Sequence, residues 1–444
     1  MPNMRKLKPY NKYLSVSYDY VAEVPEGWQL LPNIAVFEER IERGFIDEEL
    51  LSVTIGRGVI RQTDVDIKKD SSNEDKSKYK LIKIGDIAYN RMRMWQGALG
   101  YSNYRGITSP AYVILKPKME INQRFFHYMF RTGFYTNYSK RFSYGIVDDQ
   151  LSLRYVDFKR MYSIVPPIET QNDIVTYLDR KTKKTREFIK KKERLIELLV
   201  EEKSIIINLA VTKGIKDKID LINVDKEWFN EIPKNWEVKK LYGLCKFIRG
   251  NSAFQKDELL EKGDYVALQY GKTYKVDEVT SEYEFYVNSE FYKNTQVVEN
   301  GDVIFVSTSE TIEDLGHSVF YNREDKGLIG GEQILLKPKK FINNKFLYYS
   351  SKIFLKTLRK FATGVKVFRV NIDDLKTIYI PFPSLIEQEE IVSYLDQQTE
   401  RIEKSVSIQQ IQIEKAKEYQ ESLINQVVTG QLKVPTLTTE KALN

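Results

Sequence analysis

The stretch YSIVPPIETQNDIVTYLD, residues 162–179, returns 217 positions later (379 − 162) as YIPFPSLIEQEEIVSYLD, residues 379–396. Each copy begins with a short apolar run that ends at prolines, where a strand gives way to the start of a helix. Each then enters a long segment that holds no Gly or Pro until Gly214 or Gly430. The two copies therefore predict the same local structure, which is a strand, a turn and a long helix.

The repeat extends beyond this junction, because three further blocks recur in the same order. Their offsets of 208, 216 and 221 (231 − 23, 301 − 85, 335 − 114) drift by a few residues, as loop insertions would cause. One half-chain architecture is therefore predicted twice. Trp28 and Trp236, in the first pair of blocks, are interpreted as core anchors where the chain enters a globular module. The pairs are EVPEGWQLLPN (23–33) with EIPKNWEVKKL (231–241), GDIAYNR (85–91) with GDVIFVS (301–307), and ILKPKMEIN (114–122) with LLKPKKFIN (335–343).

Each half also carries the same order of elements. Strand-like runs such as ELLSVTI, LIKIGDIAYN and AYVILKP alternate with turn signals. One amphipathic aromatic helix follows in each half, at residues 123–142 and 344–361, and a glycine, Gly145 or Gly364, is expected to cap it. Each half is therefore predicted to fold as a mixed module of strands and helices.

The two long segments carry matching apolar seams with alternating spacings of three and four. The second seam runs from Val392 to Val427, and subtracting 217 gives the first seam, from Val175 to Ala210. Two long helices with matching seams most simply pack on each other, and the polar seam positions help to fix their register. If a pseudo-two-fold axis relates the halves, the helices run antiparallel. A helix of ~40 residues is on the order of 60 Å long.

These patterns predict an α/β (mixed α+β) protein with a pseudo-two-fold internal repeat. Two globular modules are joined by two long helices that form an antiparallel coiled coil. The expected boundaries are residues 1–165 for the first module, 166–215 for the first long helix, 216–382 for the second module, 383–432 for the second long helix and 433–444 for a flexible tail.

Composition excludes several classes of protein. The net charge is +7, with 69 basic and 62 acidic residues, which permits a polyanionic partner without requiring one. The single cysteine, Cys245, excludes an internal disulfide and a cysteine metal cluster, and His127 and His317 lie far apart, which argues against a zinc site. The N-terminus has no apolar run of signal-peptide length. We therefore expect a cytoplasmic protein with no membrane partner and no metal.

Catalytic motifs are not found in either half. The segment YGKT at residues 270–273 lacks the first glycine of a phosphate-binding loop, since Val266 stands in its place. The pair Pro166–Pro167 is flanked by Val165 and Ile168 and is not the Asn/Asp-Pro-Pro-aromatic turn of a nucleotide methyltransferase. Acidic nuclease sites are dispersed in sequence, so their exclusion is weaker. A duplicated DNA-modifying enzyme with its own catalytic site stays open as the alternative.

The strongest binding signal follows the strand-like run IKIGDIA. The loop YNRMRMWQGALG at residues 89–100 combines residue types that recognise base edges and phosphates. The other interpretation is an exposed polar loop with one anchoring Trp. The equivalent stretch in the second half is VSTSETIEDLG at residues 306–316, so the Gly-Asp frame is kept while the loop has changed. Such a change is typical of two modules that recognise different sequences. The candidates in the first loop are Asn90, Arg91, Arg93, Trp95 and Gln96, and those in the second are Ser307, Thr308, Ser309 and Glu310.

Other segments carry weaker signals, and their residue types favour ordinary loops or strand ends. The DNA-binding candidates among them are Arg57 and Arg61 in the first half and Arg249, Gln269, Tyr270 and Lys272 in the second.

Positive charge also differs between the long segments. Nine basic residues fall between Arg180 and Arg194, whereas the equivalent stretch, residues 397–411, has only Arg401 and Lys404. A solvated helix face is one interpretation, and phosphate contact or the docking of a partner is the other.

With these motifs in order in both halves, the chain resembles the specificity subunits of type I restriction–modification systems over essentially its whole length. The motifs that carry the resemblance are the two P-x-x-W openings, the loops RMRMWQGALG and STSETIEDLG, and the two strand–Pro–Glu–Gln–helix junctions. The first junction departs slightly, with ETQNDI where the second has IEQEEI.

The resemblance implies two target recognition domains that each recognise half of a split DNA site, and two helical regions that set the gap between the half-sites. It also implies two modification subunits, which bring S-adenosylmethionine and methylate adenine, and two restriction subunits that can join them. It implies no cofactor in this chain and no catalytic residue. The family's base-recognising residues lie in variable loops, so the resemblance supports the two loop sets above.

Overall fold

The computed structural model describes residues 7–18, 20–65, 75–147, 150–251, 254–312, 315–364 and 367–436. The chain divides into two compact units. Unit 1 comprises residues 1–192 and 411–444, and unit 2 comprises residues 193–410. Each unit contains one globular module together with one part of each long helix.

Unit 1 contains the strands β1 to β12 and the helices α1 to α4, with the first part of the long helix α5. The strands are β1 (Tyr13–Tyr18), β2 (Val21–Pro25), β3 (Gln29–Pro32), β4 (Phe37–Glu39), β5 (Leu51–Thr54), β6 (Gly58–Arg61), β7 (Lys80–Ile82), β8 (Ile87–Asn90), β9 (Leu99–Tyr101), β10 (Gly106–Thr108), β11 (Tyr112–Pro117) and β12 (Tyr162–Val165). The helices are α1 (Asn33–Val36), α2 (Gln123–Phe130), α3 (Gly133–Phe142), α4 (Tyr155–Phe158) and α5 (Ile168–Lys213).

The main sheet of unit 1 has the antiparallel order β4-β11-β8-β9. The pairs β1–β2, β5–β6, β7–β10 and β3–β12 surround it. An aromatic core forms where α2 and α3 pack with this sheet, and Phe126, Phe130 and Tyr135 in it are fully buried. Burying rings of this size contributes strongly to the apolar driving force of the unit.

Unit 2 contains the strands β13 to β27 and the helices α6 to α9, with the first part of the long helix α10. The strands are β13 (Leu221–Lys226), β14 (Phe229–Pro233), β15 (Glu237–Lys240), β16 (Cys245–Arg249), β17 (Tyr265–Leu268), β18 (Glu278–Val279), β19 (Tyr286–Val287), β20 (Val297–Val298), β21 (Val303–Val306), β22 (Thr308–Ser309), β23 (Ser318–Tyr321), β24 (Gly327–Ile329), β25 (Gln333–Pro338), β26 (Phe368–Arg369) and β27 (Tyr379–Phe382). The helices are α6 (Leu241–Leu244), α7 (Tyr270–Thr273), α8 (Asn344–Leu358), α9 (Ile372–Thr377) and α10 (Leu385–Val428).

The main sheet of unit 2 has the order β16-β25-β21-β23-β18, and a second sheet has the order β19-β17-β24-β20. The pairs β13–β14, β15–β27 and β22–β26 complete the unit. Apolar residues of both sheets, including Leu268 and Leu335, share a core, and a larger core forms against α8. The mixed α/β fold predicted from the sequence is confirmed.

The two long helices predicted from the sequence are present: α5 ends at Lys213, directly before Gly214, and α10 ends at Val428, two residues before Gly430. Gly214 and Gly430 adopt left-handed backbone, with φ of 78° and 79°, a conformation that favours glycine at the end of a helix. An added Cβ at Gly214 would lie 3.3 Å from Trp236, and one at Gly430 would lie 3.0 Å from Trp28. Both Trp side chains are buried, as predicted for core anchors.

The prediction of one aromatic helix in the first half is wrong, because Thr132 divides it into α2 and α3. The Thr132 hydroxyl accepts a hydrogen bond from the Tyr135 amide at 3.2 Å and caps α3. Gly145 does not cap α3 either, since that helix ends at Phe142. In the second half, α8 ends at Leu358 and a short 3-10 turn follows it before Gly364.

The start of the predicted flexible tail is packed on unit 1. The Lys433 amide donates to the Lys8 carbonyl at 2.8 Å, and Val434 is buried in the unit 1 core. Residues 437–444 lie outside the described residues. Within the described ranges, no helix is both long and apolar enough to span a membrane.

Candidate nucleic-acid interface

The first predicted loop leaves the main sheet of unit 1 at the end of β8 and returns as β9. Two features shape it: the Asn90 side-chain carbonyl accepts from the Met92 amide at 2.9 Å, and Gly97 adopts left-handed backbone with φ of 83°. Both features are typical of tight turns. The turn keeps Arg93 and Gln96 exposed while Met94 is fully buried in the core. The loop therefore presents two polar side chains from a rigid base.

Trp95 and Arg91 differ from the exposed residues of this loop in their surroundings. The Trp95 indole donates to the Met92 carbonyl at 3.2 Å, and the Lys140 ammonium of α3 lies 4.9 Å from its ring centroid. The Arg91 Nε is buried and finds no hydrogen-bond partner among the described residues. Such a donor costs stability unless a water or a ligand satisfies it. Arg91 is therefore the loop residue whose environment most favours an additional partner.

Arg57 and Arg61 belong to the β5–β6 hairpin but lie at its opposite ends. Arg57 is in the tip, where Gly58 closely approaches Gly100 in the middle of β9. Arg61 is at the far end, where it pairs with Glu49 at 3.3 Å and lies 5.1 Å from the Tyr104 ring centroid. The structure therefore brings Arg57, and not Arg61, next to the strand at the end of the predicted loop.

The order and direction of the strands place the candidate residues of unit 2 at the same end of neighbouring strands. β16 and β21 are both antiparallel to β25, so the ends of β16 and β21 and the start of β25 lie at one edge. Arg249 ends β16, and the segment from Ser307 to Glu310 follows β21. Gln269 follows β17, which runs parallel to β24, and β24 leads into β25. The topology therefore gathers these candidates at one end of the unit.

Burial separates the candidates of the second loop. The side chains of Ser307, Thr308 and Ser309 are 2%, 7% and 3% exposed, because β22 pairs with β26 from much later in the chain. Glu310 is exposed. In this conformation only Glu310, of these four, presents its side chain to a partner. Pairing with so distant a strand leaves no signal in the local sequence.

The remaining candidates of unit 2 already have protein contacts. The Arg249 guanidinium donates to the Asn371 side chain at 3.2 Å. Tyr270 stacks on Tyr274, and the Lys272 ammonium lies 4.4 Å from the Phe285 ring centroid. The Gln269 Oε1 is buried, with no hydrogen-bond partner in the described part of the chain. These contacts fix the position of the side chains and leave Arg249 as the exposed cation of the group.

Each unit has a hydrogen-bond network at the junction of module and long helix. In unit 1, Gln171 of α5 accepts from the Asn122 amide at 2.8 Å and donates to the Pro166 carbonyl at 2.8 Å. In unit 2, Gln388 of α10 accepts from the Asn343 amide at 2.7 Å and donates to the Pro383 carbonyl at 2.9 Å. Both glutamines are buried. The repeated Gln therefore ties each helix to the module before it.

A second repeated contact lies two helical turns further along. Tyr128 donates to Asp179 at 2.7 Å in unit 1, and Tyr349 donates to Asp396 at 2.6 Å in unit 2. A cation completes each site: Arg124 pairs with Asp179 at 2.8 Å and Lys345 pairs with Asp396 at 2.9 Å. The same side-chain roles thus recur at matching positions.

Each of the two histidines has a hydrogen-bond partner within its own unit. His127 is neutral, because burial and then the charges of Arg131 and Arg124 lower its pKa to about 3. Its Nδ1 accepts a hydrogen bond from the Tyr101 amide at 3.1 Å. His317 Nε2 lies 2.7 Å from the Val276 carbonyl. No group of three or more metal-ligating side chains occurs in the portion of the chain that the structure describes.

Sequence reasoning missed one cleft in each unit. The first cleft, of about 980 Å³ in unit 1, lies between the hairpin tip, α2 and the two long helices. The second cleft, of about 760 Å³ in unit 2, lies beside α8 and the two long helices. The repeat carried one signal of this difference: Glu403 of the second cleft aligns, at an offset of 217, with Arg186 of the first, so the charge at this position is reversed between the halves.

Comparison with known protein families matches part of the chain. Residues 233–413 match the model of the type I restriction modification DNA specificity domain. Two relatives from Methanocaldococcus jannaschii align with nearly the whole chain. The putative type I restriction enzyme MjaX specificity subunit is 26% identical over 94% of this chain and 96% of its own length. The type I restriction enzyme MjaVIII specificity subunit is 23% identical over 93% and 95%.

Two solved structures have similar folds. A chain from a structural study of complex assembly and conformational transition of the type I R-M system aligns with 92% of this chain and 99% of its own, with a TM-score of 0.70 and 17% identity. The HsdS subunit from Thermoanaerobacter tengcongensis aligns with 92% and 98%, with a TM-score of 0.52 and 18% identity. The predicted resemblance to type I restriction–modification specificity subunits is confirmed.

Proposed function

We propose that this chain is the DNA-recognition subunit of a type I restriction–modification complex, in which each unit recognises one half of a bipartite DNA site. The observation that carries the proposal is that both units have the same turn and central strand, while the segments that follow the strand differ. In both units a Gly-Asp turn precedes the central strand, at Gly85 and Gly301, and both glycines have positive φ. The segment after the strand presents an exposed Arg93 in one unit and an exposed Glu310 in the other.

Opposite charges in the two segments that follow the central strands suit different half-sites. An arginine fork can pair with the O6 and N7 atoms of guanine, whereas a carboxylate accepts from the amino group of cytosine. Phosphate contacts would fix the position of each unit on the duplex without adding sequence information. The shared turn and strand would therefore place both units on DNA in the same way, while Arg93 or Glu310 would select the base sequence.

The internal repeat and the antiparallel helix pair are part of this proposal. The start of α5, with Ile174 and Leu178, shares the core of unit 1 with Leu423 and Val427 from the end of α10. In unit 2 the order is reversed, as the end of α5 shares a core with Ile391 from the start of α10. Both observations support antiparallel packing. Helices of 46 and 44 residues are on the order of 65 Å long at ~1.5 Å per residue, and would fix the gap between half-sites.

The proposed partners are double-stranded DNA and two modification subunits, with restriction subunits able to join. The modification subunits would supply S-adenosylmethionine and the methyl transfer to adenine. This chain would contribute sequence recognition and assembly. The two relatives named as specificity subunits support a role without catalysis.

A methyl-transfer assay tests this division of labour. The purified chain is incubated with labelled S-adenosylmethionine and DNA, alone and together with its modification subunits. We expect transfer only in the complete mixture, at sites that the chain selects. Methyl transfer by the chain alone would favour the alternative of a duplicated DNA-modifying enzyme and would contradict the proposal.

A further inference from the structure

The first and second clefts are built from matching positions of the two halves. Tyr128 and Thr182 line the first cleft, and Tyr349 and Thr399, at offsets of 221 and 217 (349 − 128, 399 − 182), line the second. The segment of the other long helix is also matched, since Ile424 minus 217 gives Ile207. The two clefts are therefore lined by matching positions, and they differ in the side chains at some of these positions.

The second cleft pairs its own cations with carboxylates. Lys203 pairs with Glu403 at 2.6 Å, and Lys352 pairs with Asp277 at 2.6 Å. Burial alone would raise the pKa of Asp277, but Lys352 and Lys203 outweigh it and lower that pKa to about 2. The described lining carries three lysines and five carboxylates, a formal charge of −2 (3 − 5). Each buried cation in this cleft thus has a carboxylate partner.

The first cleft has lost the matching ion pairs. Gln420 stands where the second cleft has Lys203, and Arg186 stands where it has Glu403. Arg131, which matches Lys352, donates only to the main-chain carbonyls of Leu99, Ile55 and Gly56, at 2.9, 2.7 and 2.8 Å. Among the described residues, no carboxylate pairs with Arg131 or Arg186.

Charge in the first cleft is therefore positive. Its described lining carries four cations and one carboxylate, Glu421, a formal charge of +3 (4 − 1) with His127 neutral. Burial lowers the pKa of Arg131, which shows that desolvation, uncompensated by a carboxylate, is the dominant influence on this cation. An anion in the cleft would relieve that cost. The cations are Arg57, Arg131, Arg186 and Lys417, of which Lys417 pairs at 2.9 Å with Glu414 outside the lining.

The positive surface continues along α5. Lys183 and Lys190 lie three residues before and four residues after Arg186, so the three share one helix face. All three are exposed, and no described carboxylate pairs with them. The matching residues of α10, found by adding 217, are Glu400, Glu403 and Ser407, so the charge is reversed at two of the three positions and absent at the third. A solvated helix face would require no such reversal.

We infer that the first cleft, with Arg186 at its centre, binds a phosphate of the DNA backbone, and that Lys183 and Lys190 extend this contact along α5. The inference rests on the proposed function. The cleft includes the hairpin tip with Arg57, and Arg131 fixes that tip to β9, directly after the recognition loop. A duplex seated on the loop would bring its backbone near this strand end. DNA would therefore contact the long helix of unit 1 independently of sequence, and the second cleft would make no equivalent contact.

A charge exchange between the two clefts tests the inference. The double variant Arg186→Glu/Gln420→Lys gives the first cleft the ion pair of the second and preserves helix-forming residues. The control is Lys184→Gln/Lys191→Gln, which also removes positive charge but on a face about 100° away around the helix. Binding of the full-length chain, alone and with its modification subunits, is measured for DNA with and without the recognised sequence at several salt concentrations. Circular dichroism verifies that each variant is folded.

Each phosphate contact contributes about 0.9 to the slope of log affinity against log salt. We expect the exchange variant to lower this slope by about 1 for both DNAs, with methylation positions unchanged, and the control to change it less. An unchanged slope would overturn the inference. Loss of binding to the modification subunits with an unchanged slope would also overturn it, and would indicate an acidic protein partner. If the unmodified chain and complex bind no DNA, it is the proposed function that fails.

Discussion

Substituting Gln388 by Ala is predicted to destabilise unit 2 strongly. The side chain is fully buried and bridges the Asn343 amide and the Pro383 carbonyl. Its removal leaves the buried Pro383 carbonyl and the partly buried Asn343 amide without partners, at about 1–3 kcal/mol each. A water in the vacated space would recover part of this loss, so we expect a net loss of about 2–4 kcal/mol. Gln397→Ala, at an exposed position of the same helix, is the control and should change stability by less than about 0.5 kcal/mol.

Hydrogen exchange at increasing urea, followed by mass spectrometry, measures this loss in unit 2 peptides separately from those of unit 1. Gln388→Glu retains an acceptor for the Asn343 amide and should lie between the alanine variant and the unmodified chain. Gln171→Ala should produce the same effect in unit 1. If Gln388→Ala costs no more than Gln397→Ala, the repeated glutamine does not hold the module to its helix, and the reasoning is refuted.

Three further predictions concern recognition, spacing and pH. Arg93→Ala should alter or abolish modification at one half-site, with about 1–3 kcal/mol lost for a bidentate base contact; unchanged methylation at every site, mapped by sequencing, would exclude Arg93 as a recognition residue. Inserting four residues into one long helix should change the spacing between methylated half-sites; the same spacing, with the insert shown to be helical, would remove the role of the helix as a ruler. Because the pKa of His127 is lowered to about 3, the unfolded state binds its proton first as pH falls below about 6.5, so unit 1 should lose about 1–3 kcal/mol of stability between pH 6.5 and 4. Urea titrations of the chain and of His127→Gln should show that the free energy of unfolding depends less on pH in the variant. An equal pH dependence in both proteins would contradict the low pKa of His127.

Features set by local sequence were predictable. The ends of the long helices at Gly214 and Gly430 follow from a left-handed backbone that glycine adopts without strain. The burial of Trp28 and Trp236 follows from their place in a repeated block. The division of the first aromatic helix was also encoded locally, in the Thr132 cap, but the apolar periodicity continued through it and concealed the break.

Features that depend on distant segments could not be predicted from the sequence. Ser307, Thr308 and Ser309 are polar and follow a strand, which is typical of an exposed loop. They are buried because β26 contributes a pairing partner from about sixty residues later. The first cleft combines side chains from a hairpin, α2, α5 and α10, and only the folded chain brings Arg131 and Arg186 together. Local propensity carries no information about such combinations.

The most direct test of two unlike recognition units is methylation-sensitive sequencing of DNA from cells that carry this chain and its modification subunits. We predict one bipartite motif, with two different half-sites separated by a fixed gap, and Arg93→Ala should disturb one half while Glu310→Ala disturbs the other. Methylation confined to a single continuous motif, or the same half altered by both variants, would contradict the account.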